Sequence, residues 1–254
     1  MSLVHAEHLK LSRRKFYPIM LVILFVLVLF SAFFLISFGQ LWPEFAQDVP
    51  VLGKPDAYVI GAQQVAAQTW FPLIVATVIL GGDLASTVWA TSLTREPSVV
   101  RHVGSRLLVF SIASWIAYIL GTGLWALYTH FWAEGSGGLE IGEWVGVTWR
   151  LGVGAMVWSA LGMAAVALLR QVGPAIGAVL AFYFVEQLLG LWPTYADISL
   201  TAATNGMFGV YLDGWLGSLV PGAGMSVTRA LTVIGAWTVL ALVLTWWGLR
   251  RRDA

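Results

Sequence analysis

Long apolar runs separated by short polar segments set the pattern of this chain. The runs are Ile19–Phe38, Val65–Leu80, Leu107–Tyr128, Leu151–Leu169, Pro174–Leu191 and Leu231–Leu249, six in all. Each approaches or reaches the ~20 residues that a helix needs to cross a ~30 Å hydrocarbon layer. Inside a bilayer every backbone N–H and C=O must be satisfied within the protein, so such runs are expected to be helices. The predicted fold class is therefore an all-α polytopic membrane protein with six transmembrane helices. The second run is the most polar, with Gln63, Gln64 and Gln68 at its leading end. It also holds Pro72, whose missing N–H frees a carbonyl one turn back that a neighbouring helix must satisfy.

The segments around the runs add three expectations. Residues 1–16 form a lead-in: Leu3, Ala6, Leu9 and Phe16 fall on one side of a helix, with Glu7, Lys10, Arg13 and Arg14 elsewhere. That is the pattern of an amphipathic helix lying in the membrane interface. The run behind it exceeds the ~7–15 apolar residues of a secretory signal and is read as a retained first span. Between the second and third runs, residues 83–106 form an inner segment. Pro97 suits the first position of a helix and Glu96 its positive end, which predicts a short helix over Pro97–Ser105. Its exposed face would present Arg95, Glu96, Ser98 and Arg101 beside Val99, Val100 and Val103, the composition of a small docking surface. The connection over 193–229 is too long for a simple turn, and its Gly, Trp and Leu predict short helices dipping into the outer leaflet. No duplicated half and no soluble domain is visible, so residues 1–254 read as one membrane domain.

Charge is sorted along the chain rather than summed. Eleven of the fourteen basic residues fall in alternate connections together with both termini, leaving Lys54, Arg150 and Arg229 for the other side. Glu44, Asp48, Asp56, Glu134, Glu140, Glu143, Asp197 and Asp213 fall opposite the basic cluster. By the positive-inside rule both termini are expected in the cytoplasm, for a multi-pass protein of the cell (plasma or inner) membrane. Trp42, Trp132, Trp144 and Trp192 at outer ends, and Trp246 and Trp247 at the last inner end, suit interfacial anchoring. A hydrophobic content of 59% with only 11% charged residues excludes a water-soluble globule, which carries about 25% charged residues. The net charge of +1 gives no field that would attract nucleic acid. With no cysteine, the chain has no disulfide, thiolate metal site or cysteine nucleophile, and its four histidines are scattered without an HExxH pattern.

Polar residues within the runs are the remaining candidates. Glu186 would lie ~18 Å into a ~30 Å core, where facing lipid as a carboxylate costs on the order of 2.5–3.5 kcal/mol. It should face protein or water, either bonded to Tyr183, Gln187 or a neighbouring backbone, or lining a path. Ser111, Ser114, Tyr118 and Gly121 recur at helical spacing in the third run, as do Gly152, Ala155, Ser159 and Gly162 in the fourth. Gly173, Gly177 and Ala181 do so in the fifth. Such stripes let helices approach closely, with a substrate cleft as the alternative. No catalytic pairing is visible: Ser136 sits in a Gly-rich outer loop, His130 ends a span, and nothing pairs them as nucleophile and base on facing helices. Gly53-Lys54-Pro55 lacks the upstream Gly and the Ser/Thr of a phosphate-binding loop, so no ATP site is expected in this chain.

The inner segment resembles the permease subunits of type-2 ABC exporters, in which a polar cluster after the second span leads through a threonine-rich turn into a Pro-Ser-basic helix. The matching residues are Gly82-Asp83, Thr87, Thr91, Leu93-Thr94-Arg95 and Pro97-Ser98, followed by Arg101 and Arg106. Val99 and Val100 depart from the basic residue that members often carry after the Pro-Ser pair. The basic lead-in, six spans, long last outer segment and basic tail extend the likeness over the whole chain. The resemblance implies a short cytoplasmic coupling helix, with Arg95, Glu96, Pro97, Ser98, Val100 and Arg101 docking a separate cytoplasmic ATPase subunit. ATP and Mg would then be bound by that partner, and a second copy or a similar permease would complete the path. Two other readings are an ion-coupled secondary transporter and an intramembrane enzyme.

Overall fold

The computed structural model describes residues 3–41, 54–86, 88–95, 97–133, 135–208 and 225–251. Among the described residues every regular element is helical. Helix α1 (Leu3–Arg13) is followed by α2 (Phe16–Ala32), which runs through a π-helical stretch, Phe33–Ser37, into a last turn, Phe38–Leu41. Next come α3 (Lys54–Ala66), α4 (Trp70–Ala85), α5 (Val88–Arg95), α6 (Val99–Trp132) and α7 (Ile141–Leu169). Then follow α8 (Val172–Leu189), two short helices, α9 (Pro193–Ala196) and α10 (Leu200–Gly206), and α11 (Val227–Arg250). Among the described residues six stretches are long and apolar enough to cross a membrane: Phe16–Ser37, Asp56–Ala85, Val99–Trp132, Ile141–Leu169, Val172–Leu189 and Val227–Arg250. The chain is an all-α polytopic membrane protein, and its even number of spans returns the C-terminal helix to the end where α1 lies.

The second span corrects the expected one in extent and shape. It starts near Asp56 rather than Val65 and is broken between α3 and α4. Pro72 cannot donate to the carbonyl of Gln68, four residues back, and its ring crowds that position. The Gln68 carbonyl instead accepts from Tyr118 Oη at 3.0 Å and from the Phe71 amide at 3.0 Å. A hydroxyl from α6 thus satisfies the group that proline frees.

The predicted helix over Pro97–Ser105 is also corrected, because it is not a separate element. Ser98 is an N-cap whose Oγ accepts from the Arg101 amide at 3.4 Å, and the helix it starts continues unbroken for 34 residues. At 1.5 Å per residue α6 is about 51 Å long, well beyond a ~30 Å core. Pro97 precedes the cap instead of occupying the first helical position. The short helix of this connection lies earlier, as α5.

Two spans form the centre. The second and fourth are each 67% buried, against 17% for α8 and 22% for α11, so the latter helices leave most of their apolar surface at the periphery. Close approach at the centre depends on glycine. A Cβ at Gly162 would stand 2.3 Å from the Leu73 carbonyl oxygen, and Thr77 Oγ1 donates across the same crossing to the Gly162 carbonyl at 3.1 Å. On the other half of the broken span, a Cβ at Gly61 would fall inside the Trp125 ring. That indole is fully buried and donates to the Ala57 carbonyl at 2.9 Å. Hence α3 is fastened to α6, and α4 to α7.

Candidate functional site

A cluster of buried charge joins α1, α4 and α6 at one end of the bundle. Asp83 lies near the last turn of α4, where the partial negative charge of the helix terminus disfavours a carboxylate. Its side chain is 1% exposed and is held by cations on two sides. Arg14 reaches Oδ1 through Nη2 at 2.5 Å and donates through Nη1 to the Ile79 carbonyl at 3.2 Å. Arg106, itself 1% exposed, donates through Nη2 to Oδ2 at 2.8 Å. Lys10 stands 3.7 Å from the same oxygen. Glu7, 3% exposed, closes the set: it accepts from Lys10 Nζ at 2.9 Å and lies 3.4 Å from Arg106 Nε. Three cations therefore surround two carboxylates within the fold.

The local sequence explains how this cluster assembles. Gly82 has no side chain, and a Cβ there would stand 2.9 Å from Arg14 Nη1, so the glycine leaves the guanidinium its approach to Asp83. On the far side of Arg106 lies the Trp89 ring, 4.8 Å from the guanidinium carbon, which ties α5 to the cluster by a cation–π contact. The buried His102 ring is 5.6 Å from that of Trp89. Helix α1, the adjoining ends of the second and third spans and the short helix between them are thus joined through five ionic side chains and one indole.

The expected docking residues run in the chain from the end of α5 to the start of α6. Helix α5 ends at Arg95; Pro97 and Val100 are exposed; Ser98 is the cap of α6; Arg101 is exposed in its first turn. Glu96 lies outside the described residues. These positions occupy a joint between two helices rather than one helix face.

A third buried carboxylate lies apart from this cluster, on α8. Glu186, 1% exposed on α8, accepts from Tyr195 Oη at 2.9 Å and from Ser199 Oγ at 2.6 Å. It also accepts from the amides of Leu200 and Thr201 at 3.3 and 3.4 Å, so it caps α10 together with Ser199, whose Oγ accepts from the Ala202 amide at 3.1 Å. Burial, with the hydrogen bond and the negative charge of Glu186 beside it, pushes the Tyr195 phenol up to about 12, so it remains a donor at neutral pH.

The other polar candidates occupy separate places. Tyr118 seals the break in the second span. Ser114 is fully buried on α6, Ser111 lines a groove between α6 and α7, and Tyr183 is half-buried on α8. Among the described residues no group of three His, Asp or Glu is placed to hold a metal ion. Sequence reasoning placed Glu7 on a polar helix face and Arg106 among inner charges, and did not pair them. The available signal was an acid in each of two basic segments, Glu7 and Asp83. Neither a family model nor a curated protein matches this sequence.

Proposed function

We propose that this chain is the membrane-spanning permease subunit of an ATP-driven exporter of the type-2 ABC class. It works as a pair with a second copy or a similar permease, in the cell membrane, with both termini in the cytoplasm. A separate cytoplasmic subunit binds and hydrolyses ATP with Mg. The observation that carries this reading is the buried ionic cluster that ties α1 to the ends of α4 and α6 beside α5. Burying paired charge is costly, and apolar side chains of equal size would often stabilise as well, so such a cluster is weak evidence for stability alone. A machine that receives a push on its cytoplasmic surface needs a joint that keeps the pushed elements attached to the spans as they shift. Charge-assisted hydrogen bonds from three cations to Asp83 and Glu7 supply one. ATP binding in the partner would supply the differential stabilisation that switching between inward and outward states requires.

The test is affinity purification of the tagged chain from its native membrane. An ATP-hydrolysing subunit should accompany it, and Arg95→Glu with Arg101→Glu should lower the yield of that subunit while membrane insertion is kept. Uphill transport by the isolated chain in sealed vesicles would overturn the proposal. An ion-coupled carrier is favoured by one observation, the broken second span. Against it, the carbonyl freed at the break and the Glu186 carboxylate are both already bonded by protein groups.

A further inference from the structure

Helix α6 leaves an apolar face open where it passes α11 and then α7. Between α6 and α11 lies a groove of about 370 Å³, walled by Val100, Gly104 and Leu107 on one side and Leu242, Val243 and Trp246 on the other. From the same Gly104 and Leu107 a second groove of about 320 Å³ continues to Trp115, with Gly152 and Met156 of α7 as its far wall. The two form one track along α6 from Val100 to Trp115, about 22 Å at 1.5 Å per residue. One leaflet of hydrocarbon is ~15 Å deep, half of a ~30 Å core, so the track is long enough for an extended acyl chain. At Gly104 the track is open space: a Cβ there would meet nothing within 4 Å. Trp115 donates Nε1 to the Thr148 carbonyl at 2.7 Å, which leaves ring carbon to the groove.

The mouth of the track is basic. The Arg250 guanidinium lies 5.1 Å over the ring of Trp246, the residue that walls the groove at this end, and Arg251 lies 3.6 Å over Trp247. A guanidinium held over a ring still presents its N–H donors at its edge, in the geometry that matches a phosphate. Basic pockets between membrane helices next to a tryptophan belt suit anionic headgroups. A two-fold contact between copies through this face would instead set a second group of arginines at the same depth, which like charge disfavours.

We infer that this track binds one anionic phospholipid, its acyl chain laid along α6 past Gly104 and its phosphate held at Arg250. The chain has no cysteine, so Gly104→Cys supplies a single thiol in the groove. The purified full-length chain, stripped of lipid and given dioleoylphosphatidylglycerol or dioleoylphosphatidylcholine, is followed by native mass spectrometry. The expected result is one phosphatidylglycerol retained in preference to phosphatidylcholine. Arg250→Gln should weaken that retention about fivefold, the scale of one basic residue at an anionic surface. Capping Gly104→Cys with a bulky maleimide after folding should abolish retention, and bound phosphatidylglycerol should slow the capping. Equal retention of the two lipids, or retention unchanged by the cap, would overturn the site. So would an intermolecular disulfide at Gly104→Cys in native membranes, which would give the groove to a second copy.

Discussion

Asp83 and Glu186 are both carboxylates with 1% exposure, and the protein satisfies them by opposite means. Asp83 is matched by charge: Arg14, Lys10 and Arg106 come from two other helical regions, and its contacts span 23 to 73 residues of sequence. Glu186 is matched by neutral donors, two hydroxyls and two amides, all within 15 residues along the chain. The difference separates a joint from a clasp. Charges that are partly exposed, as Lys10 and Arg14 are at about a third, can exchange partners when helices shift. Hydroxyls and helix-terminal amides fix one geometry for one short helix.

Asp83→Asn should give the largest effect. It keeps the shape but removes the carboxylate shared by Arg14 and Arg106, leaving the buried Arg106 only Glu7 as counter-charge, and breaking such a buried pair costs about 3–5 kcal/mol. A marked fall in the thermal midpoint in detergent is expected, with α1 released early; an unchanged midpoint would show that the cluster is not cooperative. Glu186→Gln comes next. It puts an amide donor against existing donors, at a cost of about 1–3 kcal/mol for the group left unsatisfied. Hydrogen exchange should speed up in the amides of α10 while those of α7 stay protected, and uniform loss of protection would mean that the clasp is wider than drawn here.

Arg14→Gln should cost only about 1 kcal/mol, because Arg14 is a third exposed and Arg106 still holds the other oxygen of Asp83. Its release should show as greater protease access at the α1–α2 junction, with the midpoint little moved. The smallest effect is in titration. The Tyr195 phenol is raised from 10 to about 12, so the stability it contributes is complete below pH 10 and is lost as pH rises through about 12. Ultraviolet titration of Tyr195→Phe should lose one tyrosinate step near pH 12; loss of a step near pH 10 instead would show that the phenol is free of Glu186.

The spans were legible because a bilayer leaves the chain few options. Apolar length, sorted arginines and terminal tryptophans all reflect the same solvent boundary, and Pro72 named the carbonyl that Tyr118 satisfies. The ionic joint was half legible. Gly82-Asp83 stood out within a basic segment, but the partner choice depends on where α1 folds back, and no periodicity encodes that. The helix expected over Pro97–Ser105 failed for a local reason: Ser98 is the better cap, and nothing in Val99–Trp132 stops the helix that it begins. The clasp at Glu186 was visible only as an isolated acid. Its donors, Tyr195 and Ser199, lie in a return of the chain whose path hydrophobicity does not specify.

The divided second span has a mechanical consequence. Its upper portion is keyed to α6 through the Trp125 indole seated on Gly61, and its lower portion to α7 through Thr77 and Gly162. If α6 and α7 were to slide past each other, neither contact could stretch, because each is a close steric fit rather than a long flexible side chain. The displacement would gather at residues 67–69, where the regular ladder is already interrupted, and the Tyr118 hydroxyl on Gln68 would be the first bond to lengthen.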